Sequence, residues 1–394
     1  MTAVAPPITP VDVVRDVIPI VAERAGTVDR DAEFPVASLA ALRATPLMGL
    51  LVPREHGGMG GSLADMSEVA RELAGACTAT AVVWAMHCQQ VAAVVRHAGP
   101  ALRERVLPAI ARGEVYVGSV TTERGKGGHL LTAQAPLEPA PGGRLRVHRD
   151  APISTGALHA DAYLITMRAG PDAADTDVRL VWADRSAVEL QTHSGWDPMG
   201  MRGTQSVAVT IDAEVAAGDV VGPDFRDVAL RTFVPAGHIA WASSWLGAAQ
   251  GAFRRVVAML RDPRGRRGYD LDSELLVTRL ARCRAGLDCV EALLERTIAT
   301  VERIGRDGTA AEVESPAYQI LVNELKVVAS EQTFAAVDRL VDVVGLRHGY
   351  IKTSATGIER VLRDLRSASL MYANDRLDLA DGRLALFDRA ARLP

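Results

Sequence analysis

The texture of the chain changes twice, and that limits the folds open to it. Up to about Gly113, apolar residues recur every three or four positions, as in VDVVRDVIPIVAERAG from Val11. From Val115 the pattern shortens into β-rich runs such as VYVGSV, RLRVHRDAPIS and AYLITM, separated by Gly, Pro and Asp. From about Phe233 long helical runs return, rich in Ala, Gly and Ser, which let helices approach closely. The expectation is an α+β chain in three parts: an N-terminal helical domain over 1–114, a middle β-barrel or sheet domain of six to eight strands over 115–230, and a C-terminal four-helix-bundle domain over 231–394. No 20- to 50-residue repeat, GxGxxG after a strand, P-loop or HExxH occurs, which disfavours solenoids, Rossmann enzymes, NTPases and zinc proteases.

With 394 residues, 48% apolar and 23% charged, the chain can bury a large core. The net charge of −4 and the absence of a basic block argue against nucleic acid. The four cysteines form no CxxC pair and read as buried core thiols, with no metal site. No signal-peptide pattern and no run of 18 apolar residues is visible, so a cytoplasmic protein without a membrane span is expected.

Four stretches, in order, carry a resemblance: LMGLLVPREHGGMGGS (47–62), VGSVTTERGKGGH (117–129), WDPMGMRGTQSVAVTIDAEVAAGDVVG (196–222) and LRDLRSAS (362–369). Together, on an α/β/α texture, they resemble the acyl-CoA dehydrogenase superfamily over nearly the whole chain. The resemblance implies a flavin, FAD in most members with FMN or reduced flavin as variants, between the sheet domain and the C-terminal helices. It also implies a homo-oligomer, a tetramer or dimer, and an extended small-molecule or carrier-protein-bound substrate.

Carried over residue by residue, the flavin contacts implied are Ser119, Thr121 and Thr122, then Gly127 and Gly128 in the turn, then Ser154. Pro152 stands where many members stack a Trp on the flavin. Arg264 and Arg267 in RDPRGRRG are candidates for the diphosphate, or belong to a solvated basic loop. Asp342 and Gly345 fall in the turn that meets a neighbouring subunit's nucleotide.

Removal of an α-proton from an acyl thioester calls for a carboxylate in an apolar cleft. Counting from Arg363-Asp364, the family's Glu position holds Tyr372, followed by Ala373 and Asn374, and Asn374 is kept as a flavin contact. The alternative Glu position, counted back from Gln250, holds Gly237 beside His238. Three readings follow. A dehydrogenase acting on a specialised acyl thioester with a relocated base (Asp375, His238 or Tyr372) is placed first. A reduced-flavin monooxygenase fed by a flavin reductase is second; some such oxygenases use two histidines, of which His87 resembles one. A non-catalytic binding homologue is third. Trp241 and Trp245, four residues apart, read as core or as a substrate wall.

Overall fold

The computed structural model describes residues 9–125 and 129–394; Gly127 and Gly128 lie outside the described residues. Helix α1 (Pro10–Asp31) begins with a capping box in which Thr9 and Asp12 satisfy each other's backbone N–H groups. A short α2 (Val36–Arg43) and a glycine-rich stretch with two 3-10 turns lead to α3 (Leu63–Ala76), opened by a second box from Ser62 and Asp65. Cys77 is extended, which separates α3 from α4 (Thr78–His97). Helix α4 is long and apolar enough to cross a membrane, contrary to expectation, but 83% of that stretch is buried inside the protein. It is a core helix. Helix α5 (Pro100–Ala111) completes the first part.

Among the described residues eight strands follow: β1 (Val117–Val120), β2 (Glu138–Ala140), β3 (Arg144–Ser154), β4 (Ala162–Arg168), β5 (Val178–Asp184), β6 (Val188–Thr192), β7 (Val207–Ala216) and β8 (Val220–Val221). They form two four-stranded sheets, ordered β1-β4-β5-β8 and β2-β3-β7-β6, with β1 parallel to β4 and the other pairs antiparallel. The β3–β7 register shifts between Ala151 and Ser154. Pro152 has no N–H for the ladder, and a break there is the physical consequence.

The helices resume with α6 (Phe225–Val228), a π turn, and the 28-residue α7 (Val234–Arg261). Then come α8 (Glu274–Asp307), the one-turn α9 (Ala310–Val313), α10 (Pro316–Gly345), α11 (Ile358–Arg366) and α12 (Asn374–Ala385). Helix α7 packs against α3 and α4 on one side and α8 and α10 on the other, so it runs through the centre of the helical mass.

The Arg363-Asp364 pair ties the three parts together. Asp364 is buried and accepts the Met201 N–H at 2.6 Å, while Arg363 pairs with Asp29 of α1 and Glu359 and donates to Met199 O. Gly200 makes this approach possible, since a Cβ there would lie 2.0 Å from Arg363 O. Three of the cysteines are buried as expected; Cys289 is exposed on α8.

Candidate active site

Two groups of residues are candidates, one on the sheets and one on the helices. On the sheet side, β1 is an edge strand, so its outer backbone edge has no strand partner among the described residues. Thr122 Oγ1 donates to Ile153 O at 2.6 Å, and Ser154 Oγ donates to Ser119 O at 3.3 Å. The broken ladder at Pro152 is what turns the Ile153 carbonyl toward Thr122. Beneath, fully buried Arg149 pairs with Glu123 and donates to Thr122 O, and Glu123 accepts the N–H groups of Gln134 and Ala135. The structure thus brings Ser119 and Thr122 to a partly exposed edge beside exposed Ile153, with Thr121 between them in the chain. Ser154 is buried and spends its hydroxyl on Ser119 O, so it supports this edge and does not itself face a ligand. This arrangement fits a flat group that hydrogen-bonds along its rim, as a flavin ring does.

On the helix side, one face of α7 presents His238, Trp241 and Trp245 at intervals of three and four residues. Their rings form a row, with centroids 6.0 Å apart from His238 to Trp241 and 6.2 Å from Trp241 to Trp245. Tyr372 closes the His238 end at 6.3 Å, and Lys326 Nζ of α10 lies 5.8 Å from the Trp245 ring at the other. The α11–α12 break runs from Ser367 to Ala373, and Tyr372 takes a positive φ of 53° within it.

Lys326, fully buried, holds this break in place. It donates to Tyr372 O at 3.1 Å and to Asn374 Oδ1 at 2.7 Å. Asn374 in turn bonds Ser330 and Glu331, so it anchors the start of α12 and has little left for a cofactor. Burial pushes the Lys326 ammonium down to about 8.

The two candidate histidines differ. His87 is fully buried; Val117 N–H donates to its Nδ1 at 3.0 Å, so Nε2–H donates to Met48 O at 2.9 Å. Both nitrogens are spent on joining α4, the turn after α2 and β1. His238 Nδ1–H donates to Val322 O at 2.9 Å, and no described residue hydrogen-bonds its Nε2. Burial holds both imidazoles down at about 4, so both are neutral.

Neither family position for a Glu can act as a base. Gly237 carries no side chain, and a Cβ there would meet Gln89 Nε2 at 2.3 Å, so the end of the Gln89 side chain occupies the space. Tyr372 fills the other, and burial raises its phenol. Asp375 is exposed on α12. Among the described residues, those forming the row include no carboxylate. The acids that act on Lys326 through space, Asp378 and Glu331, are exposed.

The distal candidates lie elsewhere. Arg264 and Arg267 are exposed in the loop after α7, and Asp342 and Gly345 are exposed at the end of α10. Tyr269 joins the two places by donating to Val344 O at 2.7 Å. Sequence reasoning missed Lys326 and Arg149. Lys326 left a signal, a lone cation on the apolar face formed by Val322, Leu325, Ala329 and Thr333.

Comparison with known proteins now gives the class. The family described as acyl-CoA dehydrogenase, N-terminal domain, matches residues 12–114, and acyl-CoA dehydrogenase, C-terminal domain, matches 227–372. The chain belongs to the acyl-CoA dehydrogenase superfamily and is a flavin-dependent oxidoreductase. It is 27% identical to an L-evernosamine nitrososynthase from Micromonospora over 95% of this chain and 90% of that protein. The dibenzothiophene monooxygenase TdsC from Paenibacillus, solved with FMN and indole, superposes with a TM-score of 0.85 at 21% identity over 98% of each chain. Butyryl-CoA dehydrogenase from Megasphaera elsdenii gives 0.82 at 16% identity, over 98% of this chain and 100% of that one. At these identities the two structures establish the fold. Relatives matched over more than four fifths of both chains include nitrososynthases, a dibenzothiophene monooxygenase and a probable acyl-CoA dehydrogenase from Bacillus subtilis, and together they back the monooxygenase reading better than the dehydrogenase one.

Proposed function

We propose that the protein is a monooxygenase that takes reduced flavin from a separate reductase and acts on a small molecule held against α7. The observation that carries this reading is the row of His238, Trp241, Trp245, Lys326 and Tyr372, which contains no carboxylate where a dehydrogenase needs one. The nitrososynthase and monooxygenase relatives support it. When bound, reduced flavin supplies the two electrons with which dioxygen is divided between substrate and water. Ser119, Thr121 and Thr122 would hold the flavin ring, with Ser154 buried behind them and donating to Ser119 O.

The chain's own residues then bind, orient and exclude water. His238, its Nδ1 pinned by Val322 O, offers the Nε2 lone pair to a substrate O–H or N–H. Lys326 fixes the Tyr372 carbonyl and so the position of Tyr372 beside His238. Arg264, Arg267, Asp342 and Gly345 are exposed, and Leu346 and Tyr350 beside them are 74% and 68% exposed. In the proposed homo-oligomer Arg264 and Arg267 would meet the flavin phosphates, and Asp342 and Gly345 the adenine or ribose of a neighbouring copy's nucleotide.

The test pairs two assays on purified protein. A delay in the return of oxidised flavin when reduced flavin meets aerated buffer, seen with the protein and absent without it, together with flavin that stays yellow under anaerobic butyryl-CoA, is the expected result. Anaerobic bleaching by the thioester would restore the dehydrogenase reading.

A further inference from the structure

Three arginines gather where the end of α3 meets the start of α11. Arg254 and Arg255 come from the second half of α7, and Arg360 from α11. Arg255 is the middle one: its Nη1 donates to Gly75 O at 2.8 Å and its Nε to Thr356 O at 2.6 Å. Arg254 Nη2 lies 3.0 Å from where a Cβ on Gly75 would stand, and Arg360 Nη2 lies 3.6 Å from the same point on Gly357. The three guanidinium groups therefore follow one seam. Among the described residues none of them has a carboxylate within salt-bridge distance, whereas Arg71 of α3 pairs with Glu291 and Arg363 of α11 with Asp29 and Glu359. Asp364, which acts on Arg360 through space, accepts the Met201 N–H instead. Burial, then Arg360 and Arg254, hold the Arg255 guanidinium down to about 10.

Like charges drawn together at a partly buried seam repel unless an anion pairs them. We infer that Arg254, Arg255 and Arg360 bind the diphosphate group of a soluble small molecule other than the flavin. Guanidinium forks suit phosphate oxygens, and three of them along a seam match two linked phosphates better than one. Helix α11 starts at Gly357 without a side-chain cap, so the N–H groups of its first turn add to the positive potential. The ligand reaches the seam from solvent, since Arg254 is exposed and Arg255 and Arg360 are partly so. Arg254 lies about 24 Å along α7 from His238. The anion therefore clamps α3, α7 and α11 and does not itself react. Because α11 carries the Arg363-Asp364 pair, the clamp bears on the helix that ties the three parts together. The site stands apart from the proposed monooxygenase chemistry.

The experiment is isothermal titration calorimetry of the full-length protein with inorganic pyrophosphate at low ionic strength, with and without saturating FAD. Wild type binds pyrophosphate, and FAD leaves the affinity unchanged. Arg254→Gln and Arg360→Gln each weaken binding about tenfold, the loss expected for a charge-assisted contact, and the double variant weakens it further. Neither side chain makes a hydrogen bond within the chain among the described residues, so both variants are expected to fold, which circular dichroism checks. Arg264→Gln, in the loop after α7, leaves binding within about twofold. No binding by wild type, as when a second copy's acids cover the seam, would overturn the assignment. So would an affinity unchanged in the double variant, or one lost in Arg264→Gln. Binding that FAD abolishes would give the seam to the flavin's own diphosphate and overturn it too.

Discussion

His87 and His238 are alike in isolation and opposite in use. Each is buried, neutral and held at about 4 by desolvation. His87 lies where α4, a turn and β1 converge, and both its nitrogens are consumed by backbone groups. His238 lies on α7 with one nitrogen consumed and the other open to a row of rings. Burial and a shifted pKa do not distinguish a clasp from a working group. The count of unspent hydrogen-bonding atoms does.

The sharpest way to break this contrast is to truncate the clasp. His87→Ala leaves Val117 N–H and Met48 O unpaired and opens a cavity, so it should cost about 4 kcal/mol of stability in chemical denaturation. If the variant keeps wild-type stability and loses turnover, the contrast is wrong. His238→Leu should do the reverse: a fall in reductase-coupled turnover on the order of 100-fold, with a folded protein by circular dichroism.

Lys326→Met tests the support behind the row. Met fills the buried channel but donates nothing to Tyr372 O or Asn374 Oδ1. Turnover should drop about tenfold through a misplaced Tyr372, with a rise in KM, and Lys326→Arg should not restore it.

A smaller effect is set by pH. In the unfolded chain the imidazoles protonate below about 6.5, whereas in the fold they stay neutral down to about 4. The unfolded state therefore binds more protons in that window, and stability falls as pH drops through it, by at most about 3 kcal/mol per imidazole. Asp364 and Asp381, raised to about 6 mainly by burial, act in the opposite sense between about 6 and 3.8. Replacing either histidine with Gln should flatten the acid-side loss equally, although only His238→Gln should change turnover. Unequal flattening would show that the two burials are not equivalent. The smallest effect belongs to exposed Asp375, where Asn should leave turnover within about twofold.

Much of the architecture was legible. Runs such as AYLITMR and VRLVWAD announce β4 and β5 because both their faces are buried and apolar. Strand β2 was not legible, since three residues that include Pro139 carry no alternation. The edge formed by Ser119 and Thr122, with Ser154 behind it, was readable through resemblance. Its local cause, the register break at Pro152, was visible in sequence only as a missing ring.

The sequence by itself determined the α/β/α order, the membership of β1 and α7 in a flavin-enzyme fold, and the absence of Glu at positions 237 and 372. The order follows from periodicity and the missing acids from residue identity, which are local, while the flavin-enzyme fold was read through resemblance to a family. Only the tertiary structure decided that Asn374 and His87 serve as anchors while Lys326, 46 residues before Tyr372, holds the loop. Hydrogen-bond partners distant in the chain cannot be read from spacing, and a polar atom becomes available to a ligand only when packing leaves it unspent.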